Sequence, residues 1–233
     1  GYLFPISLAI ITLLVIVTIS YEQTIHAYPG GGGAYIVARD NLGELPAQTA
    51  GAALLTDYIL TVSVSVSAGV AQIVSAYPDL FPYRVLIAVV AVGFITLINL
   101  RGVKESGVTF AIPTYFFVVV MVFTVGFGIF RYLTGSLGMV VDPPHFEAAH
   151  VISVITPFIL LHAFANGTTA LTGVEAISNG ITAFKEPRSK NAGITLIWMS
   201  LILGALFLGL SFLTGQMHAV FSEEETVISQ LAR

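Results

Sequence analysis

Residues Leu55 to Gly69 read LTDYILTVSVSVSAG, and the fold turns on how this stretch is taken. Its VSVSVS run alternates apolar and polar residues with a period of two, the pattern of a half-buried strand. Yet the run lies inside a much longer apolar segment, and that segment carries a carboxylate, Asp57. Strand or helix, the reading has to account for an acid in apolar surroundings.

Composition settles the solvent first. Of 233 residues, 56% are hydrophobic and 9% charged, and the mean hydropathy is +0.91. Soluble domains carry about 25% charged residues, so this chain lacks the means to cover a water-facing surface. Gly1 to Tyr21, Ser106 to Phe130, Ala148 to Val174 and Asn191 to Ser222 hold no Asp, Glu, Lys or Arg. A spanning helix needs about 20 apolar residues, and these runs supply that length. A secretory leader would be one short apolar region at the N-terminus rather than several. The net charge of −4 is spread over loops and points to no nucleic-acid partner. With no cysteine, disulfides, zinc–thiolate sites and thiol catalysis are excluded within the chain.

Hydropathy and helix breakers predict an all-α integral membrane protein with about six spans, near 2–20, 48–75, 84–100, 107–131, 151–180 and 192–215. Barrel strands of about 10 residues each do not explain uncharged runs this long. Of the 9 Lys and Arg residues, Arg39, Arg101, Lys104, Lys185, Arg188 and Lys190 fall in loops on one side, and Arg84, Arg131 and Arg233 on the other. The positive-inside rule therefore places the 21–47, 101–106 and 181–191 loops in the cytoplasm. The chain opens on Gly1 directly into an apolar run and closes at Arg233 just past another, which we read as a segment of a longer protein.

At 100° per residue the opening alternation splits in two. Asp57, Thr61 and Ser65 share one helix face with Tyr58 beside them, while Thr56, Ser63 and Ser67 share another. The second face reads as small-residue packing surface. The first holds a group that costs about 2.5–3.5 kcal/mol at the bilayer centre, and such residues mark ion or proton routes. Carboxylate, phenol and hydroxyl oxygens together suit a hard cation. The competing reading is an Asp bonded to a neighbouring helix for folding alone.

A second acid sits in HAFANGTTALTGVEAISNG, residues 162–180. Asn166-Gly167, Gly173 and Gly180 weaken this span, since glycine costs about 1 kcal/mol in a helix relative to alanine. Thr168, Thr169, Thr172, Glu175, Ser178 and Asn179 gather in the same place. Interrupted helices survive at membrane depth only where they line a cavity or are buried in protein. Transporters use them to present carbonyls and helix ends to cargo. Glu175, with Thr172 on its face, is a candidate proton carrier, because withdrawal from water favours the neutral form of a carboxyl. Hydration at the cytoplasmic mouth is the competing reading. His162 reads as a hydrogen-bonded core residue, and the Asn166-Gly167-Thr168 sequon as chance within a span. His145 and His150, near Asp142 and Glu147, follow no metal-ligand spacing, and Glu223 to Glu225 read as a solvated loop.

Tyr28-Pro29-Gly30-Gly31-Gly32-Gly33-Ala34-Tyr35, followed by Ala38-Arg39-Asp40-Asn41-Leu42-Gly43, resembles the first cytoplasmic loop of the amino acid–polyamine–organocation (APC) transporters. That loop follows their second span. The resemblance implies a partial transport domain, residues 1–233, covering family spans two to seven of a LeuT-like fold of two inverted five-span repeats. The first span and the remainder of the second repeat would lie outside this chain. Within the superfamily, TDYILTVSVSVSAG, FANGTTALTGVEAISNG and KEPRSKNAGITLIWM look more similar to the Kim-type potassium importers, proton-coupled symporters related to the Kup family, than to typical amino acid permeases. By motif, Asp57, Tyr58, Thr61, Ser65 and Thr172 match cargo-handling positions, with potassium at Asp57, Tyr58 and Thr172 and proton coupling at Glu175.

The expectation is a multi-pass secondary transporter of the cell membrane that takes up potassium by proton symport. The alternative is an APC amino acid permease, cation- or proton-coupled, in which Asp57 pairs with an amine and broken-helix amides hold a carboxylate. A scaffold that moves nothing leaves two intramembrane acids unexplained, and no nucleophile–base pair argues for an enzyme. No cofactor is expected beyond the transported potassium and proton. The partners are the lipid bilayer and a small cation or amino acid, with no nucleic acid; a homodimer stays open for the full-length protein.

Overall fold

A computed structural model of the chain describes residues 2–141, 156–220, 222 and 225–232, with the backbone alone for 103–106. The sequence features at Asp142, His145, Glu147, His150, Glu223, Glu224 and Arg233 lie outside the described residues. The helices are α1 (Leu3–Ala27), α2 (Gly33–Leu42), α3 (Glu44–Ala76), α4 (Arg84–Asn99), α5 (Val103–Leu133), α6 (Pro157–Gly167), α7 (Thr172–Asn179), α8 (Arg188–Met217) and α9 (Val227–Ala232). Short 3-10 turns occupy Pro78–Tyr83, Thr168–Leu171 and Ile181–Ala183.

The VSVSVS run falls inside the 33 residues of α3, and no strand occurs among the described residues. Valine's strand preference is overridden because a spanning segment has to satisfy its own backbone groups. Among the described residues, five stretches are long and apolar enough to cross a bilayer: Leu3–Ala27, Glu44–Ala76, Pro78–Asn99, Gly107–Leu133 and Arg188–Met217. Of the remaining expected span, 151–180, residues 151–155 lie outside the described residues, and the rest is not one helix but α6, a 3-10 turn and α7 in series. A second difference concerns the 21–47 loop, which is mostly helical: α1 continues through Ala27 and α2 follows. Polar residues at the end of a span do not stop a helix, and here Glu22 and His26 pair one turn apart at 3.2 Å. Hydroxyls along the spans bond within their own helix, as at Thr12, Thr56, Thr96 and Thr114, which donate to the carbonyl four residues back at 2.7–3.0 Å.

The chain forms two compact units, residues 1–62 with 154–208, and residues 63–153 with 209–233. In the first, α1 packs on α6 and α7 around Ile10, Leu14, Ile25, Leu171, Val174, Ile181, Ala192 and Leu196. Lipid tails are as apolar as these side chains, so van der Waals fit and cross-helix hydrogen bonds hold such contacts together. Small residues provide the fit. A Cβ at Gly204 of α8 would stand 3.4 Å from Leu14 Cδ2, and one at Gly167 would collide with Ile10. Thr18 of α1 donates to Ser200 of α8 at 2.8 Å.

The second unit repeats the device. Gly209 of α8 lies against Val125 of α5, Gly128 against Leu213, and Tyr132 meets Phe212 edge-on at 4.9 Å. The Thr226 hydroxyl, just before α9, donates to Gln72 at 2.8 Å, and the Thr226 amide donates to Ser75 at 3.1 Å. Buried Gln230 brackets Val220, donating to its carbonyl at 2.8 Å and accepting from its amide at 3.0 Å.

The native chain has no cysteine, which makes its orientation directly measurable. Asn41→Cys, in α2, is expected to react with a membrane-impermeant thiol reagent only from the cytoplasmic side. Asp79→Cys, in the Pro78–Tyr83 turn, is expected to react only from outside. The reverse pattern would invert the topology.

Candidate functional site

The site is built at the interruption between α6 and α7. Thr156 caps α6 by accepting from the Ile159 amide at 3.4 Å, with Pro157 at the first helical position. At the far end the backbone tightens rather than unwinds. Gly167, Thr168, Leu171 and Thr172 all keep right-handed helical dihedrals. Two carbonyls there are taken up locally: the Thr168 hydroxyl donates to Ala165 O at 2.7 Å and the Thr172 hydroxyl to Thr169 O at 3.1 Å. The carbonyls expected to open toward a cargo are therefore partly occupied by threonine.

α7 carries two stripes. Leu171, just before it, with Val174 and Ser178, is buried, and α7 packs on α1. Thr172, Glu175 and Asn179 form the second stripe and are half-buried. Asn179 Nδ2 donates to the Tyr58 phenol and to Glu175 Oε1, the latter at 3.4 Å. The Tyr21 phenol of α1 reaches Glu175 as a side-chain hydrogen-bond partner. The result is a polar string across three helices, Tyr21–Glu175–Asn179–Tyr58.

The other expected site residues distribute around this string. Asp57 is exposed beside Tyr58, close enough for its charge to act on both Tyr58 and Tyr21. Thr61 is half-buried one turn along α3. Ser65 is exposed and belongs to the second unit. In the first unit the half-buried line of α3 runs Gly51, Leu54, Tyr58, Thr61. The helix is thus rotated so that Tyr58, not Asp57, leads the packed face. His162 is exposed and stacks on Phe158 at 6.1 Å, instead of being a core residue. No group of three or more His, Cys, Asp or Glu suited to a metal ion occurs among the described residues.

Asn179 has a second attachment. Gly32 donates its amide to the Asn179 carbonyl at 3.5 Å, and Gly33, at φ +44°, has Asn179 Oδ1 where a Cβ would stand. Gly31, at φ +79°, would bring a Cβ to 3.0 Å from Ile181 Cγ2. These positions need glycine for both the left-handed backbone and the close approach. The tetraglycine is a cradle for the end of α7. Within it, Asn179 Oδ1 is buried without a hydrogen-bond partner, as is Ser178 Oγ.

Tyr21 and Asn179 were not singled out as site residues by the sequence. The available signals were a polar-tipped aromatic closing the uncharged Gly1–Tyr21 run and an amide one helical turn after Glu175.

The chain is similar to known proteins at two levels. The amino acid permease family profile matches residues 1–231. A Bacillus subtilis (strain 168) protein described as potassium transporter KimA is 46% identical over 233 residues, which is 99% of this chain and 38% of that protein. The chain therefore spans well under half the length of this relative.

Filling the cradle tests its fit. Gly33→Ala is expected to lower the stability of the detergent-solubilised protein by about 1–3 kcal/mol, from the strained backbone and the collision with Asn179. Gly30→Ala, where nothing lies within 4 Å, is expected to stay within about 0.5 kcal/mol. Thermal melting of the two variants distinguishes them; equal melting would mean that Asn179 does not fill the cradle.

Proposed function

The chain belongs to the amino acid permease family of the APC superfamily and is part of a multi-pass cell-membrane protein, and from that premise we propose that it serves potassium uptake by proton symport. One observation carries the reading: a hydrogen-bonded string containing Glu175 at an interrupted span, with Asp57 beside its far end. Glu175 takes and releases the proton. Asp57 supplies the charge that offsets a partly dehydrated cation, with oxygens from Tyr58, Thr61 and Thr172 as neutral ligands. The 46% identity to a protein described as a potassium transporter supports potassium as the cargo.

The family's description favours a second reading, an amino acid with its amine at Asp57. That cargo needs free helix-terminal amides for its carboxylate. At the interruption, the Thr168 and Thr172 amides are already bonded to carbonyls of the preceding turn. This occupancy supports the inorganic cation, which makes no such demand.

The test uses the full-length protein in proteoliposomes with an imposed pH gradient. Wild type is expected to accumulate potassium when the outside is acidic. Asp57→Asn is expected to weaken uptake by about tenfold or more, the equivalent of about 1.4 kcal/mol. Glu175→Gln is expected to uncouple uptake from the pH gradient. Amino acid-driven currents that ignore potassium would replace this reading with the second one.

A further inference from the structure

We propose that the Asn179 carboxamide is a two-position switch that reports the protonation of Glu175 to the Tyr58 phenol, and through it to the cation. The proposal rests on the proton-coupled reading above and names the group that carries the coupling.

An ionised carboxylate only accepts hydrogen bonds, so the amide edge facing Glu175 is Nδ2. Its two hydrogens serve Glu175 Oε1 and the Tyr58 oxygen. In this position Tyr58 is an acceptor, and one of its lone pairs is committed to Asn179. The other end of the same amide is anomalous. Asn179 Oδ1 is buried against Gly33 without a donor, and an unmet buried acceptor carries a desolvation penalty.

Protonation reverses the requirement. A neutral Glu175 has an O–H to donate, and the unfilled Oδ1 is an acceptor on its direct neighbour. Rotation about the Asn Cβ–Cγ bond is broad and roughly two-fold, so a half-turn exchanges the amide's ends. Oδ1 then accepts from Glu175 and from the Tyr58 O–H, while Nδ2 turns into the cradle of Gly31 to Gly33. Tyr58 changes from acceptor to donor, and both of its lone pairs become free to face the cation beside Asp57. Proton uptake at Glu175 thereby strengthens a cation ligand on another helix.

The surroundings are consistent with a switch localised at Asn179. From α1, Tyr21 faces Glu175. From α3 come Tyr58 and the charge of Asp57, and α2 presents the side-chain-free Gly33. Glu22 and His26, further along α1, pair with one another.

Infrared difference spectra of the full-length protein in lipid, recorded through a pH titration without potassium, test the relay directly. Glu175→Gln identifies the Glu175 carboxyl band and Tyr58→Phe the phenol band. In wild type the phenol band is expected to shift as Glu175 titrates. In Asn179→Leu the carboxyl is expected still to titrate and the phenol shift to be lost. A phenol band that stays still in wild type, or that follows Glu175 in Asn179→Leu, overturns the proposal.

A binding measurement keeps the proposal testable if Asn179→Leu does not assemble. Potassium affinity is expected to tighten in wild type as pH falls through the Glu175 titration. In Asn179→Leu and in Tyr58→Phe this tightening is expected to be lost, leaving only the weakening that neutralising Glu175 imposes on the cation. A wild-type response retained in Tyr58→Phe also overturns the switch. Absence of potassium binding by wild type at any pH overturns the cargo reading alone, since the spectra still decide the switch.

Discussion

Hydrocarbon offers no hydrogen bonds, so every polar atom buried within a span has to be answered from inside the chain. Around α7 this demand propagates outward. Glu175 needs partners and finds Tyr21 on α1 and Asn179 one turn along its own helix. Asn179, turned toward Glu175 and Tyr58, brings its carbonyl oxygen against Gly33. No Cβ fits there, so the segment entering α2 is glycine with positive φ at residues 31, 32 and 33. The tetraglycine loop is thus shaped around one side chain of a distant segment.

The same solvent explains how the helices adhere. Apolar burial contributes little between helices already surrounded by lipid, so contact depends on close approach. The glycines at 167 and 204 in the first unit, and at 128 and 209 in the second, sit where a side chain would strike a neighbour or press against it. Threonine hydroxyls, which would be liabilities in lipid, are returned to their own helices. At the interruption the same chemistry acts three residues back instead of four, the Thr168 and Thr172 hydroxyls donating to the Ala165 and Thr169 carbonyls.

These causes also set what the sequence could reveal. Uncharged length made the spans legible, and it overrode the VSVSVS alternation correctly. Clustered glycine and threonine placed an interruption somewhere within 162–180, which the structure narrows to the turn at Thr168–Leu171, and Glu175 stood out as the acid among them. Helical periodicity grouped Asp57, Thr61 and Ser65 but could not say how α3 is rotated. That rotation is a tertiary result, and it turns Tyr58 inward while leaving Asp57 and Ser65 exposed. Asn179 and Tyr21 escaped for a related reason. Each is unremarkable alone and acquires a role only when three helices converge. The extension of α1 through Ala27 was hidden because Glu22 and His26 look like loop residues until their pairing along a helix is seen.

Under the proposed proton symport, a simple electrostatic term gives the reason for a relay. Neutralising Glu175 removes a negative charge near a bound cation, and Coulomb's law makes that unfavourable for the cation. Unit charges about 8 Å apart at an effective dielectric of about 20 interact by about 2 kcal/mol. Electrostatics alone therefore sets proton and cation in competition, which is the sign for exchange rather than symport. Symport needs both on board together, so something must offset this term. Separating the acids onto α3 and α7 weakens the competition, and a neutral hydrogen-bonded link between them can carry coupling of the opposite sign. Asn179 is suited to that role because its carboxamide presents a donor at one end and an acceptor at the other. Its side chain hydrogen-bonds to both Glu175 and Tyr58. Asp cannot donate in its ionised form and Leu can do neither, so the proposed coupling rests on the amide's two unlike ends rather than on its size.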